Sequence, residues 1–422
     1  MSGGEPGRVW LLQIGEPLPG LAGDQRRLRT ALLADALVDR GCSVVWWAST
    51  FDHAAKRFVA PAERTIAVRP GLEIELLKGL GYRRNVSLRR IADHLSVARR
   101  FRRRARGASA APGVIVCSYP AVELAAAGVG FGRAAGVRTL VDVRDLWPDT
   151  LLDLVPPALR PLGRAALQPM FGAARRALAG ADAITAPSER YLAWALARAG
   201  RLRIDGDRVF PLGYPEPALD AGQGDAAARS LAQRGVDAGR KIALFVGMFG
   251  RTYDLSTVVA AARLLRERGA ADCQFVCAGA GDREARWRAE AEGLDNVVFT
   301  GWVTRPEVVW LLRASWVGLA AYAPGAPQDL PNKLIEYMCA GLPVLSSLPG
   351  EATAVLARDG CGITYRAGDP GDLATALEAL LLDPSRHAAM AAAGRAACRA
   401  RYSAAAVYGA MADHILALTR GG

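Results

Sequence analysis

Lys333 and Glu336 stand three residues apart in the segment Pro331-Asn332-Lys333-Leu334-Ile335-Glu336, whose residue types suit one kind of ligand. Pro331 in a first turn starts a helix, and Gly341-Leu342-Pro343 stops it ahead of the strand that begins near Val344. A helix N-terminus turns free backbone N–H groups and a partial positive charge toward the loop before it. Lys333 adds a full charge in that first turn, where the helix dipole disfavours a cation. The placement therefore points to an anion. Glu336, one turn on, is spaced to accept hydrogen bonds from a pair of sugar hydroxyls. Phosphate at the helix start with ribose beyond it describes a nucleoside diphosphate. Composition sharpens the choice of lysine: of 53 Lys and Arg residues only Lys56, Lys78, Lys241 and Lys333 are lysines. In so arginine-rich a chain, a lysine here indicates that a compact ammonium is wanted.

Three further stretches carry compatible chemistry. In Gly247-Met248-Phe249-Gly250-Arg251 the glycines let backbone approach a ligand, and Arg251 can reach phosphate oxygens. Gly279-Ala280-Gly281-Asp282 forms a tight turn, and Gly301-Trp302-Val303 follows a strand. In the first half, Gly15, Glu16 and Pro17 occupy the first β–α turn. His53 ends the polar run after the second strand. Arg144 and Asp145 leave a buried strand ahead of Trp147-Pro148. Asp145 can accept a hydroxyl proton or stabilise positive charge at a sugar. The structural alternative is an Asp that caps the next turn and pairs with Arg144.

In order and spacing, residues 247–251, 279–282, 301–303 and 331–336 resemble the donor-binding motifs of the family 4 retaining glycosyltransferases. The run Arg144-Asp145-Leu146-Trp147-Pro148 is similar to a subgroup associated with bacterial surface-polysaccharide and glycoconjugate assembly. The resemblance implies an α/β GT-B fold, two Rossmann-like doubly wound domains facing a central cleft. It implies transfer of a sugar from a nucleotide-diphosphate sugar to an acceptor, with retention, no bound metal and no cofactor beyond that substrate. Arg251 and Lys333 are then expected at the diphosphate, with the backbone of Gly301 and Val303 at the base and Glu336 at the ribose. Gly15, Gly250, Gly281, Gln328, Pro331, Asn332 and Leu334 complete the expected donor site. Asp145 joins Arg251 and Lys333 as a catalytic candidate, and Glu16, Pro17, His53 and Arg144 are expected at the acceptor. Two departures stand out. Gln328 occupies a position where the family has a glutamate, with Asp329 beside it as a substitute, and Arg144-Asp145 replaces a histidine that many relatives carry.

The elements that must position these residues follow from patterning. Hydrophobic runs of strand length alternate with helical stretches, which argues for parallel sheets. Strands are expected at 9–14, 43–48, 114–118, 139–143 and 183–186, with a helix over 27–40. Beyond a Pro/Gly/Asp/Ala-rich linker within 210–239, strands recur at 241–246, 273–278, 297–300 and 316–320. The Ala/Gly-rich stretch 121–135 must pack closely. A helical tract over 387–418 is long enough to cross back to the first domain. The expected domains are therefore an acceptor-binding domain, 1–215, and a nucleotide-sugar-binding domain, 216–400, followed by the crossing segment 401–422.

Length and composition fit this frame. With 422 residues, 51% hydrophobic and 22% charged, the chain has the profile of a globular protein with two or three domains. No apolar run is long enough to span a bilayer, and residues 1–7 lack the apolar core of a secretion signal, so a cytoplasmic location is expected. The seven scattered cysteines read as buried reduced thiols, and the four histidines lack metal-ligand spacing. Of the net charge of +12, +9 falls between Arg83 and Arg106, where ten arginines meet only Asp93. Leu88, Ile91, Leu95 and Ala98 form a helical apolar stripe among them. Arg89, Arg90, Arg99, Arg100, Arg102, Arg103 and Arg104 are accordingly expected on an anionic membrane surface, which favours a lipid-linked or other glycan acceptor at the inner membrane face. Nucleic acid is disfavoured, because Tyr82 and Phe101 are the only aromatics available for stacking; the structural alternative is a solvated basic face whose stripe packs on its own domain. Two other functions compete: a nucleotide-sugar 2-epimerase on the same fold, and a non-catalytic membrane-docked nucleotide-sugar-binding protein.

Overall fold

The computed structural model describes residues 5–21, 27–215, 219–270 and 272–420. The expectation about a leader falls partly on residues 1–4, and that about the linker partly on 216–218, which lie outside the described residues. Two compact units result, Met1–Gly213 with Val407–Gly422, and Tyr214–Ala406.

The first unit is built on one sheet, in the order Arg208–Val209, Ala183–Ala186, Arg138–Val143, Pro112–Tyr119, Glu5–Leu12, Ser43–Ser49, Leu72–Leu77, Arg64–Arg69. All neighbours are parallel except the last pair. The chain reverses its direction of winding between Glu5–Leu12 and Pro112–Tyr119, which makes their carboxyl ends the switch point where such sheets hold ligands. Central strands are buried on both faces, which is why they read as continuous apolar runs. Helix Val122–Ala135 lies close on them. A Cβ at Gly128 would sit 2.5 Å from Cys117 Sγ, and one at Gly132 only 2.2 Å from Thr139 Cγ2. The strand pair Arg64–Arg69 and Leu72–Leu77 was not anticipated, because Arg64–Arg69 is a half-solvated edge without an apolar run.

The second unit holds a fully parallel sheet, Val297–Gly301, Cys273–Ala278, Lys241–Val246, Val317–Ala320, Val344–Ser346, Gly362–Thr364. Its switch point lies between Lys241–Val246 and Val317–Ala320. The closing helical tract is made of three pieces. Helix Pro384–Ala397 passes into a π-helical turn, Cys398–Tyr402, and a new helix, Ala404–Arg420, begins after Ser403. From Val407 onward that helix belongs to the first unit, where His414 shares a hydrogen bond with the Gly206 carbonyl at 2.9 Å.

Not every thiol is free. Cys339 and Cys398 form a disulfide, with Cα atoms 5.1 Å apart. Their separation of 59 residues hid the pairing, which arises because helix Asn332–Ala340 packs against the π-helical turn. The other five cysteines are free and buried, and burial pushes the thiols of Cys117, Cys273 and Cys277 up to about 12. Closing a loop of that length is worth about 4 kcal/mol on chain-entropy grounds. A thiol titration of the unfolded, unreduced chain is expected to find five groups and a reduced control seven. Seven in both would remove the bond.

Candidate functional site

Three loops meet at the switch point of the second sheet, held together by backbone hydrogen bonds. Gly247 donates to the Ala278 carbonyl, Phe249 to that of Ala280, and Gly279 to that of Gly301, each at 2.9 Å. This side-by-side packing has room for no side chain at Gly279, where φ is +145° and a Cβ would lie 1.9 Å from the Gly247 carbonyl oxygen. The glycine spacing read from the sequence thus serves loop-on-loop packing. Gly281, Trp302 and Arg251 lie exposed on the same edge, with Gly250 and Val303 half-buried. Arg251 has neither an ion pair nor a side-chain hydrogen bond to any other described residue.

Helix Asn332–Ala340 starts beside these loops, with Pro331 as its N-cap residue rather than inside its first turn. Gly341 closes it in the left-handed conformation, φ +74°. Asn332 is exposed at the start, and Leu334 anchors the helix in the core. Lys333 points inward. Its ammonium donates to the Val246 carbonyl, stands 3.8 Å from the centroid of the Phe245 ring and 4.8 Å from that of Tyr253, and would meet a Cβ at Gly247 at 2.6 Å. Burial pushes the amine down to about 7, with Glu336 and Cys277 acting in the opposite direction. Among the described residues no carboxylate is bonded to this buried amine, and burial without a paired charge is what depresses a lysine pKa.

Sequence reasoning missed the aromatic walls of this site, Phe245 and Tyr253, and also Tyr337, whose hydroxyl accepts from the Val246 N–H at 3.1 Å. Glu336 is half-buried one turn along the helix. Gln328 adds an open valence: its amide oxygen is buried without a hydrogen-bond partner among the described residues. That is an acceptor suited to a sugar hydroxyl.

In the first unit, the residues expected at the acceptor separate into two groups. Glu16 and Arg144 are bound to each other. Glu16 accepts from the Thr30 N–H at 2.9 Å and from the Thr30 hydroxyl at 2.9 Å, so it caps helix Arg29–Val38, whose own N-cap residue is Leu28. Arg144 binds Glu16 and, through Nε at 2.7 Å, Asp142. Asp142 also takes a two-point bond from Arg29, at 2.8 and 2.9 Å, and one from Thr185 at 2.9 Å. Burial alone would raise the Asp142 carboxyl, but Arg29 and Arg144 hold it far below the usual range. This buried network escaped the sequence reading because Arg29 and Asp142 are 113 residues apart. Gly15 and the half-buried Pro17 sit on the loop it braces, where the Gly15 N–H donates to Gln13 at 2.8 Å.

The second group gathers around Trp147. Asp145 is not paired with Arg144. It caps the following turn, accepting from the Leu146 N–H at 2.7 Å and the Thr150 hydroxyl at 3.5 Å, and burial raises its carboxyl. The Arg90 guanidinium lies over the Trp147 ring at 4.3 Å and over Tyr82 at 5.6 Å. His53 shares a 2.6 Å hydrogen bond with the Tyr82 hydroxyl. Burial, reinforced by Arg90 and Lys56, pushes this imidazole down to about 4, so it is neutral at pH 7.

The basic helix, Leu88–Arg106, departs most from expectation. Its buried residues include His94, Val97, Ala98, Phe101 and Ala105, so the packed stripe is rotated from the one read in the sequence, and Leu88 and Leu95 stay exposed. Glu75, from the unanticipated strand pair, and Glu63, just before it, reach several of its arginines. Arg100 lies 2.9 Å and Arg103 3.8 Å from Glu63, and Arg104 lies 2.7 Å from Glu75. Arg89 donates to the Gly81 carbonyl at 2.8 Å. Of the seven arginines expected at a membrane, Arg99 and Arg102 alone lack an ion pair, hydrogen bond or ring contact among the described residues.

Two doubly wound units with largely parallel sheets, one of them carrying a helix start beside a glycine-stitched edge, make a GT-B fold. Residues 240–383 match the family model described as Glycosyl transferases group 1, in the unit and over the motifs on which the resemblance rests. Among solved structures, the chain is similar to sucrose-phosphate synthase from Thermosynechococcus elongatus, with 19% identity and a TM-score of 0.68 over 98% of this chain and 100% of that one. It is also similar to HepE from Anabaena, solved in complex with UDP, with 14% identity and a TM-score of 0.63 over 97% and 99%. WaaG, a glycosyltransferase involved in lipopolysaccharide biosynthesis, matches with 16% identity and a TM-score of 0.62 over 98% and 100%. None of the curated proteins matches the chain by sequence. No helix among the described residues is long and apolar enough to cross a membrane.

Proposed function

We propose that the protein moves a sugar from a nucleotide-diphosphate sugar, held by the second unit, to a lipid-linked or other glycan acceptor held by the first, at the inner membrane face. The observation that carries this reading is Lys333, a buried ammonium at the start of a helix, flanked by backbone loops and with no bonded carboxylate among the described residues. Diphosphate supplies the missing negative charge. Lys333, the helix dipole and Arg251 then offset the charge on the leaving diphosphate, so transfer needs no metal. Glu336 holds the ribose, the backbone of Gly301 and Val303 holds the base, and Gln328 accepts from a sugar hydroxyl in place of the family glutamate. The anomeric configuration is retained. Asp145, raised by burial, is the carboxyl that meets the acceptor hydroxyl, with neutral His53 nearby.

Uracil is the base of choice, since HepE, on the same fold, is solved with UDP and with UDP-glucose. The test is a thermal-shift screen against UDP, GDP, dTDP and CMP, each with and without Mg²⁺. At about 100 times its dissociation constant a ligand stabilises by ~2.7 kcal/mol, a clear shift. UDP alone is expected to shift the melt, and equally without Mg²⁺. A melt unmoved by all four overturns the donor site, and product formed from donor alone turns the reading toward an epimerase.

A further inference from the structure

The segment after the Trp147 loop has no core to bury it. Pro157–Leu159 and helix Arg160–Ala166 contain no buried residue, and Leu154, Leu159 and Leu162 are 65%, 50% and 70% exposed. Three leucines held outward on a proline-framed loop are unusual in a unit that buries most of its others. Their surroundings are basic. From Leu154 to Ala181 the chain has Arg160, Arg164, Arg175 and Arg176 and no acidic residue. Beside the leucines lies an open cleft of about 520 Å³, lined by Arg164, Arg175, Arg198, Phe171 and Trp194. Arg198 is paired with Asp149, but Arg164 and Arg175 have no carboxylate partner among the described residues. Arg164 and Arg198 lie over the Phe171 ring at 5.4 and 5.0 Å, which leaves Arg164 and Arg175 as the cleft charges without a carboxylate partner among the described residues.

A second patch of the same character lies at the start of the basic helix, beside Tyr82. Phe58, Leu80 and Leu88 are 47%, 49% and 85% exposed. Lys56, Arg83, Arg84 and Arg89 line the cleft of about 500 Å³ beside them. Arg90, one turn into the basic helix, bridges to Trp147, which stands two residues before helix Asp149–Leu152.

We propose that the first unit seats on an anionic lipid bilayer through Leu154, Leu159 and Leu162 and the arginine cleft beside them, with the Phe58, Leu80 and Leu88 patch as a second contact. Apolar side chains enter the acyl boundary, and arginines at the rim take lipid phosphates. Apart from Leu88 at its start, helix Leu88–Arg106 is not the lipid-facing surface, since it buries its own face and shares its charge with Glu63 and Glu75. Charge complementarity selects the occupant: each patch sets unburied apolar groups beside arginines without a carboxylate partner among the described residues, Arg164 and Arg175 in the first and Arg83 and Arg84 in the second. The inference rests on the reading of a membrane-borne acceptor, and it puts the bilayer next to the loop that carries Asp145.

Cosedimentation of the full chain with phosphatidylcholine vesicles, with and without about a third phosphatidylglycerol, provides the test. The wild type is expected to bind the anionic vesicles. The triple variant Leu154→Ser/Leu159→Ser/Leu162→Ser should bind roughly tenfold more weakly, as loss of exposed apolar anchors requires. Its melting temperature and UDP shift should not change. Arg164→Gln/Arg175→Gln is expected to weaken binding similarly, and Arg99→Gln/Arg102→Gln to leave it near the wild-type level. Undiminished binding by the leucine variant overturns the proposal. So does a wild-type dimer in size-exclusion chromatography that the leucine variant converts to monomer, which would make a second copy the occupant. Retained vesicle binding with no nucleotide shift would instead overturn the transferase reading alone.

Discussion

Lys333→Ala is expected to lower UDP affinity about ten- to 150-fold, the range of one to two decades that a charge-assisted hydrogen bond of ~1.5–3 kcal/mol supports, and to remove most transfer activity. The fold should not suffer. Inside the protein the amine ionises near 7, against about 10.4 for a free lysine, because burial opposes its charge. A lysine pKa depressed by folding destabilises the native state fully below the folded value, and the cost fades as pH rises toward the unfolded one. Lys333→Met is therefore expected to melt at or above the wild-type temperature near pH 7. A variant that binds UDP normally, or one that loses binding only because it unfolds, would each defeat the assignment. The same amine sets a pH signature. Diphosphate binds the charged form, so UDP affinity should be flat below about pH 7 and fall as pH rises beyond it. Calorimetry above pH 8 in buffers of different ionisation enthalpy should then register proton uptake on binding. Affinity independent of pH between 6 and 9 would contradict this.

Asp142→Asn has the opposite signature: a stability loss with no direct effect on nucleotide binding. Asp142 is fully buried, and its carboxylate faces Arg29, itself 4% exposed, and Arg144. Removing one partner of a buried ion pair leaves an uncompensated charge and costs about 3–5 kcal/mol. For a unit of this size that corresponds to a fall in melting temperature of roughly 10 °C. The Asp142 pKa is depressed in the fold, so its contribution is complete above the ordinary carboxylate range and is lost only as pH falls through the lower folded value. Acid unfolding of the wild type should accordingly be late, and the variant should have lost this protection by neutral pH. A variant as stable as the wild type would show that the cluster contributes packing alone.

These two sites also show what a sequence exposes to reading and what it hides. Lys333 was legible because it contradicts its local context, a cation in the first turn of a helix in a chain that otherwise uses arginine. The strands flanking it were legible because parallel strands buried on both faces leave uninterrupted apolar runs. Asp142 and Arg29 contradict nothing locally. Their significance lies in a contact that only the completed sheet creates, and the same holds for Cys339 with Cys398. The basic helix misled for a related reason. Leu88, Ile91, Leu95 and Ala98 have helical spacing, but so do His94, Val97, Phe101 and Ala105, and the choice between the two faces was made by helix Val122–Ala135 and strand Leu72–Leu77. Gln328 and Asp145 fall between: their positions were readable, while their hydrogen-bonding states were not.

The bond between Cys339 and Cys398 has a consequence for how the chain responds to cutting. It closes the intervening residues into a covalent ring that contains strands Val344–Ser346 and Gly362–Thr364 and three helices, Glu351–Asp359, Pro370–Leu382 and Pro384–Ala397. A protease that severs one of the exposed turns inside the ring, such as the one at Gly368, releases nothing. Both fragments stay tethered through the end of the very helix that begins with Asn332 and Lys333, and only a reductant lets them part.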